Sequence, residues 1–169
     1  MGHEEHRRES EKIKEIKFSL ITVSDTRNID NDETGRFIKG LLSEYNFSVV
    51  GHLIVRNRVD EIRKELMKVV ISDTDVIILS GGTGVSKRDL TIEAVDPFFE
   101  KRLEGFGEIF RMLSHSRIGS AAIMTRATAG VIKDKIVFCL PGSPDAVEMA
   151  VKEIIVKEIR HLIWEIRRG

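Results

Sequence analysis

The 169-residue chain contains a single cysteine, Cys139. One cysteine can form neither an internal disulfide nor a zinc site built from several cysteines, so a reducing compartment, the cytoplasm, is expected. The chain has no excess of positive or negative charge, since 27 basic side chains balance 27 acidic ones. This balance argues against nucleic acid or an anionic membrane as a partner held by charge. No apolar run approaches the roughly 20 residues that cross a bilayer, and no apolar signal core is found near the start.

Most of the chain has the composition of one folded domain. Hydrophobic residues make up 41% and charged residues 32% of it, which supplies a core and excludes wholesale disorder. The first stretch differs, because residues 1–17 alternate acids and bases with almost nothing apolar. We therefore expect a charged N-terminal arm over 1–17 and a single domain over 18–169. The arm is either solvated or an element that docks on a neighbouring subunit.

Two periodicities alternate from Phe18 onward. Short apolar, β-branched runs indicate strands, and apolar residues at three- and four-residue spacing indicate helices. This alternation predicts the α/β class, as a three-layer sandwich around a largely parallel sheet with a C-terminal β-hairpin and a long final helix. The predicted strands are Phe18–Val23, Phe47–Val55, Asp75–Leu79, Ala127–Val131 and Lys135–Leu140, and the predicted helices are Glu33–Tyr45, Val59–Val70, Ile92–Glu100, Gly107–Leu113 and Pro144–Arg167.

The final predicted helix carries apolar residues on more than one face, between Val147 and Ile166. A helix that lies on one sheet needs a single apolar stripe. The extra residues indicate either a wide core contact or an outer face, near Trp164, that meets another subunit. We therefore expect a homo-oligomer.

Polar loops follow three of the predicted strands. In an open α/β sheet, ligands bind at the carboxyl ends of the strands, where backbone N–H groups and helix N-termini converge. The loops at this position are Ser24-Asp25-Thr26, Ser80 to Gly84, and Pro141 to Pro144. Their concurrence predicts one anion-binding cleft built from segments far apart in the sequence.

The second of these loops reads Ser80-Gly81-Gly82-Thr83-Gly84. Glycine lets the backbone approach a phosphate closely and adopt the positive φ of an N–H nest. The loop is not a Walker A motif, because Ser86 rather than glycine precedes Lys87, and it lacks the third glycine of a dinucleotide fingerprint. It is either an anion-binding loop or a plain glycine turn.

Two acidic residues stand at neighbouring strand ends, Asp25 after the first strand and Asp89 after the glycine loop. Together they could hold Mg²⁺, which shares its shell with waters and substrate phosphates. Lys87 and Arg88 could contact phosphate oxygens. The alternatives are an Asx turn at Asp25 and, at Asp89, a turn that leads into a helix capped by Thr91.

Ser143 suits the N-cap of the final helix, and Pro144 suits its first position. An anion could bind at the same helix N-terminus, and the two roles are compatible. The five histidines show no i, i+4 pair, and no Ser/His/Asp arrangement can be read from their spacing. The sequence therefore gives no sign of a catalytic triad.

In their order along the chain, these motifs resemble those of the MoaB/MogA family of molybdenum-cofactor biosynthesis proteins, of which the gephyrin G domain is a relative. The resemblance covers nearly the whole chain from Lys17 onward, and segment 104–113 and the short length look more like the MoaB branch. The matching segments are Ser24-Asp25-Thr26, Ser80-Gly81-Gly82-Thr83-Gly84, Arg88-Asp89-Leu90-Thr91, Glu104-Gly105-Phe106-Gly107-Glu108 and Pro141-Gly142-Ser143-Pro144.

This resemblance implies a molybdopterin-binding α/β fold. In active members of the family, Mg-ATP adenylylates the terminal phosphate of molybdopterin and pyrophosphate is released. The product is then used for molybdate or tungstate insertion, so a downstream metal-insertion protein is an expected partner. Family members form trimers, often paired into hexamers in the MoaB branch, which implies a homotrimer or a hexamer here.

The same resemblance assigns Asp89 to Mg²⁺ and the triphosphate, with Asp25 near the same site. One departure stands out, because many active members carry an acid shortly after the second strand, where this chain has Asn57. An amide does not supply the charge of a carboxylate, which leaves open a non-catalytic molybdopterin-binding or scaffold protein of the same pathway. The residues assigned to binding of molybdopterin and ATP are Ser24, Thr26, Ser80, Gly81, Gly82, Thr83, Gly84, Lys87, Arg88, Thr91, Glu104, Gly105, Gly142 and Ser143.

Overall fold

A computed structural model of the protein describes residues 3–168, with side chains from residue 6 onward. The strands in this part of the chain are β1 (Lys17–Val23), β2 (Ser48–Val55), β3 (Val76–Ser80), β4 (Lys101–Arg102), β5 (Thr128–Ile132) and β6 (Lys135–Leu140). They form one sheet in the order β2-β1-β3-β6-β5-β4. The first four strands of that order are parallel, while β5 and β4 run antiparallel to their neighbours. The largely parallel sheet and its C-terminal hairpin are thus confirmed.

Helices flank the sheet. They are α1 (His3–Ser10), α2 (Glu33–Glu44), α3 (Val59–Val70), α4 (Thr91–Val95), α5 (Glu104–Ile118), α6 (Pro144–Ala150) and α7 (Val156–Arg167), with a π-helical segment, Val151–Ile155, between the last two. Short 3₁₀ turns occupy Ile29–Asn31, Asp96–Phe98 and Gly119–Met124. Among the described helices, none combines the length and apolar character that a membrane crossing needs.

The central strand β3 shows why three layers form. Its residues Val76 to Leu79 are all fully buried, as predicted for a strand covered on both faces. Ile78 packs into one core with Phe138 and the buried residues of α6 and α7. Leu79 packs into the other core with Leu66 of α3. Because side chains alternate along a strand, every second residue of this apolar run packs against the helices on one face of the sheet, and the others pack against the helices on the opposite face. The three-layer sandwich is thus confirmed.

Three helices differ in extent from the prediction. Helix α4 ends at Val95 instead of Glu100, because Pro97 has no N–H for a helical bond and the chain continues as a 3₁₀ turn. Helix α5 is longer than predicted and begins at Glu104, two residues before its first core residue, Phe106. The final helix is divided by its π-helical segment, which shifts the rows of side chains relative to one another.

The N-terminal arm is more closely packed than a solvated arm would be. The ring centroid of His6 on α1 lies 4.7 Å from that of Trp164 on α7. Ile16 is 1% exposed and belongs to the core. Within residues 6–17, His6 and Ile16 thus pack against their own chain, while Arg7, Arg8, Glu11 and Lys12 are exposed. The contact of His6 with Trp164 also accounts for part of the additional apolar surface of the final helix. The role of the charged arm stays a prediction, and its first two residues lie outside the described part of the chain.

Candidate functional site

Two residues with positive φ shape the glycine loop after β3. Gly81 has φ 94° and Gly82 has φ 64°, values that residues with a side chain rarely adopt. A β-carbon on Gly81 would lie 2.5 Å from the backbone oxygen of Val23 at the end of β1. The Gly81 N–H donates to the Leu140 carbonyl of β6 over 3.0 Å. Position 81 therefore requires glycine, both for its positive φ and because a side chain would collide with Val23. The loop is held between the ends of β1 and β6.

Thr91 supports this loop from inside the fold. Its hydroxyl donates to the Gly81 carbonyl (2.7 Å) and its N–H to the Gly82 carbonyl (2.9 Å). The N-cap of α4 is Leu90, so the prediction that Thr91 caps this helix is wrong, because its hydroxyl is used by the loop. Thr91 is fully buried and positions the loop without lining the cavity described below.

The Asp89 carboxylate lies against the end of the glycine loop. Its Oδ2 accepts the N–H of Ser86 (3.0 Å) and lies 2.6 Å from where a β-carbon on Gly84 would stand. Asp89 therefore closes a turn through its bond to Ser86 and also presents its carboxylate at the candidate site, so its two predicted roles are compatible. Lys87 and Arg88 are exposed on the outer side of this turn.

Ser143 and Gly142 bring the loop after β6 to the same place. The Ser143 hydroxyl caps α6 by accepting the N–H of Ala146 (3.3 Å), with Pro144 at the first helical position. A β-carbon on Gly142 would lie 3.3 Å from the α-carbon of Gly81. The loops after β3 and β6 are thus in contact, and the helix cap at Ser143 is confirmed.

A cavity of about 460 Å³ opens where these segments meet. Gly81 to Gly84, Asp89, Gly142 and Ser143 all line it, so residues from three separate segments share one hollow. The volume lies within the range of ligand sites, about 300–1,000 Å³. The remaining lining residues are Ser114, Arg117, Ile118, Met124, Thr125, Arg126, Pro141, Asp145, Ala146 and Met149.

Two arginines in this lining were not singled out from the sequence. Arg126 donates to the Gly84 carbonyl (3.0 Å) and pairs with Glu93, so it braces the glycine loop. Arg117 is exposed at the end of α5 and lines the cavity. The two residues lie in segments without a recognisable motif, and only the chain path around Gly119–Met124 brings them to the site.

The first loop lines neighbouring hollows. Ser24, Thr26 and Ser80 line a cavity of about 310 Å³ that shares Gly81 and Gly142 with the larger one. Asp25 lines a separate, shallow hollow of about 630 Å³ on the side of β2. Asp25 and Asp89 therefore do not line a common cavity, in contrast to the shared Mg²⁺ site expected from the sequence.

Asn57 connects the two acidic residues. Its N–H donates to Oδ1 of Asp25 (2.9 Å), and its side-chain oxygen accepts the N–H of Leu90, next to Asp89 (3.1 Å). The same side chain is 3.0 Å from the position of a β-carbon on Gly82. Asn57 thus bridges the Asp25 loop and the segment that carries Asp89.

Glu104 and Gly105 lie away from the main cavity. They begin α5, and Gly105 lines an apolar groove of about 300 Å³ together with Phe106, Ile109 and residues of the final helix. Within one chain, they do not join Asp89 or the glycine loop in a cavity.

Asp32 lies at the centre of a buried hydrogen-bond network near the end of β1. Asp32, which is fully buried, accepts hydrogen bonds from Thr22 (2.5 Å), the Gly35 N–H (2.9 Å) and His52 (2.9 Å). Burial alone would raise the pKa of Asp32, but these hydrogen bonds hold it below its ordinary value. Burial lowers the pKa of His52 and outweighs the raising effect of its bond to Asp32. At neutral pH an ionised Asp32 therefore accepts a hydrogen bond from the ring N–H of a neutral imidazole.

The described geometry, an α/β sandwich with a glycine-lined cavity at the carboxyl edge of its sheet, has a known counterpart. The model of the family described as "Probable molybdopterin binding domain" matches residues 19–161, most of the chain. The protein is thus of the molybdopterin-binding domain class.

Comparison with individual proteins is more specific. "Molybdenum cofactor biosynthesis protein B" of Bacillus subtilis (strain 168) is 44% identical over 170 residues, with 99% of each chain covered. A crystal structure with the same protein name superimposes with a TM-score of 0.90 at 39% identity, covering 92% of this chain and 98% of the other. The tungsten cofactor synthesizing protein MoaB from Pyrococcus furiosus gives 0.83 at 39% identity, covering 91% and 98%. The chain belongs to the MoaB/MogA family of molybdenum-cofactor biosynthesis proteins.

Proposed function

We propose that the protein binds molybdopterin and adenylylates its terminal phosphate with Mg-ATP. The observation that carries this proposal is the convergence of the glycine loop, Asp89 and the Ser143-capped helix on one cavity. The adjoining cavity, which shares Gly81 and Gly142 with the first, supports a site for two ligands whose reacting groups meet at these glycines.

The reaction needs little from the protein in the way of covalent chemistry. A terminal phosphate oxygen of molybdopterin forms a bond to the α-phosphorus of ATP, and the bond from that phosphorus to the bridging oxygen breaks, releasing pyrophosphate. The nucleophile is anionic at neutral pH, so a protein nucleophile is not required. The demand is the alignment of two mutually repelling anions and neutralisation of charge in the transition state.

The residues of the main cavity suit this demand. Backbone N–H groups of the loop from Gly82 to Gly84 and the N-terminal end of the α6 dipole provide partial positive charge for anions. We assign Ser143 and Gly142 to the phosphate or pterin end, and Arg117 to the negative charge of the triphosphate. Lys87 and Arg88, on the exposed turn, are proposed to contact phosphate oxygens from outside.

The donor set also fits Mg²⁺. This ion is commonly held by one or two carboxylates, substrate phosphates and waters, and Asp89 offers one carboxylate at the edge of the cavity. When bound, Mg²⁺ neutralises charge on the triphosphate. We assign Asp89 to this role. Asp25 lines a separate hollow, so we propose that it acts on the site only indirectly, by accepting the Asn57 N–H.

A homotrimer or hexamer is proposed for the assembled protein. Helix α5 and the turn after it expose Met112 (62%), Ile118 (55%) and Ile123 (87%), a concentration of apolar surface typical of interfaces. Glu104 and Gly105 lie on the same helix, and we propose that they border the site only within this assembly. Light scattering that shows a stable monomer at micromolar concentration would contradict the oligomer.

The direct test is to mix pure protein with molybdopterin, ATP and Mg²⁺ and to measure adenylyl-molybdopterin and pyrophosphate. Asp89→Asn should lower turnover far more than molybdopterin binding, because it removes charge and leaves the pocket shape. Absence of product, with an active homologue working alongside, would reject the adenylylation. An unchanged rate in Asp89→Asn would remove that residue from the metal site.

A second candidate is a non-catalytic protein that binds and hands on molybdopterin to a downstream metal-insertion protein. Asn57 favours it, since this chain carries an amide where the family resemblance leads us to expect an acid in many active members. Tight molybdopterin binding without ATP-dependent turnover would support this candidate. In either case we propose a cytoplasmic protein, in keeping with the unpaired thiol of Cys139.

A further inference from the structure

Three metal-ligating side chains from the two ends of the chain meet where α1 packs on α7. Nδ1 of His6 lies 3.2 Å from Oε1 of Glu165, and Nε2 of His161 lies 3.5 Å from the same oxygen. One ligand atom from each residue lies within 4.8 Å of the other two. We propose that this cluster binds a divalent transition metal, with Zn²⁺ the best match, and that the ion fastens α1 to α7.

The spacing suits zinc better than it suits a hydrogen bond. Zinc bonds of about 2.0–2.1 Å in a tetrahedral shell place neighbouring ligand atoms about 3.3 Å apart. The two N···O distances, 3.2 and 3.5 Å, lie on either side of this value. A charge-assisted hydrogen bond would be shorter, about 2.7–2.9 Å. Small side-chain shifts would therefore admit an ion, with water in the fourth position.

Neighbouring charged groups orient two of the three ligands, Glu165 and His161. His161 and Glu165 are four residues apart on α7, so they share one face of the helix. The other oxygen of Glu165 pairs with Arg168 over 2.7 Å, which turns Oε1 toward both histidines. The other ring nitrogen of His161 lies 3.8 Å from the Glu158 carboxylate. A carboxylate behind a ligating histidine is the usual outer partner in zinc sites.

The surroundings of His6 give an independent reason for a strong bond at Nδ1. Its Nε2 is buried and has no hydrogen-bond partner among the described residues. Docking α1 onto Trp164 therefore removes water from this nitrogen without replacing it, which costs stability. A metal bond at Nδ1 would offset this cost. The sequence does not reveal the site, because the two histidines are far apart and the i, i+4 partner of His161 is a glutamate.

Isothermal titration of chelator-treated, full-length protein with Zn²⁺ tests the proposal, together with thermal unfolding with and without Zn²⁺. The wild type should bind one ion per chain and unfold at a higher temperature when Zn²⁺ is present. His161→Ala and Glu165→Gln should abolish both effects, and Glu158→Gln should weaken binding by about tenfold. The control is His115→Ala, which removes an exposed histidine on α5 and should leave both effects intact.

Glu165→Gln keeps the shape of the side chain, and near-ultraviolet circular dichroism checks that it folds. Two results would overturn the proposal. In the first, the wild type fails to bind Zn²⁺ at micromolar concentration, and Glu165→Gln loses the same stability with and without the ion, which is the behaviour of a plain ion pair. In the second, the two ligand variants bind as tightly as the wild type, which is adventitious binding elsewhere on the surface.

Discussion

Replacing Gly84 with alanine would displace the carboxylate of Asp89 without removing it. The new β-carbon would stand 2.6 Å from Oδ2 and 3.2 Å from Cγ of Asp89. Ordinary van der Waals contact needs about 3.4 Å or more, so the carboxylate must move by about 0.8 Å. That movement also lengthens the bond that Oδ2 accepts from the Ser86 N–H, now 3.0 Å.

The rate should respond more strongly than the stability. In a reaction that depends on alignment, a displacement of about 1 Å can cost about 100-fold. We expect Gly84→Ala to slow single-turnover adenylylation by about 10- to 100-fold. The weakened hydrogen bond lies near the surface, so the free energy of unfolding should fall by no more than about 1 kcal/mol.

The matched control is Gly40→Ala on α2, where an added β-carbon would meet no atom within 4 Å. Alanine favours a helix interior over glycine by about 0.5–1 kcal/mol, so this variant should be slightly more stable and equally active. Product formation is followed by chromatography and stability by urea unfolding. A Gly84→Ala protein that adenylylates molybdopterin at the wild-type rate would refute the reasoning, since the position of the Asp89 carboxylate would then be immaterial.

Two further variants probe the groups that hold the loops. Thr91→Val removes the buried donor to the Gly81 carbonyl, and its free energy of unfolding in urea should fall by about 1–3 kcal/mol; unchanged stability would show that the hydroxyl does not secure the loop. The pKa of His52 is lowered from its usual 6.5, so its contribution to stability is present above pH 6.5 and is lost as the pH falls toward the folded pKa. His52→Gln keeps a donor toward Asp32 and should remove this component from the pH profile of unfolding, and an identical profile would contradict it.

The fold could be predicted because its signals are local. The run from Val76 to Leu79 is apolar throughout, and the structure buries it on both faces. Ser143 and Pro144 carry a helix start in two adjacent residues. The prediction of a helix up to Glu100 failed because the apolar periodicity around Pro97 was given more weight than the proline, which ends the helix.

The site could be predicted only in part. Positions at strand ends follow from the parallel sheet, so Asp89, the glycine loop and Gly142 were expected to meet, and they do. Which hollow a side chain enters depends on loop paths that no local signal sets. Asp25 therefore lines a different hollow from Asp89. Arg117 lines the main cavity although no sequence motif marks it. The docking of α1 on Trp164 is likewise a contact between chain ends, invisible to periodicity.

Asn57 decides between an enzyme and a binding protein, and its contacts show how to test this. The side-chain oxygen accepts the Leu90 N–H (3.1 Å), and a carboxylate of the same shape could keep this bond. Asn57→Asp should therefore fold normally and add one negative charge beside Gly82, where a cation shared with the triphosphate would gain a ligand. We expect the variant to reach half its maximal adenylylation rate at a lower Mg²⁺ concentration than the wild type. If the wild type only binds molybdopterin, turnover should appear in the variant alone. If the wild type is active and Asn57→Asp shows the same Mg²⁺ dependence, the amide of Asn57 does not weaken Mg²⁺ binding, and the reasoning is refuted.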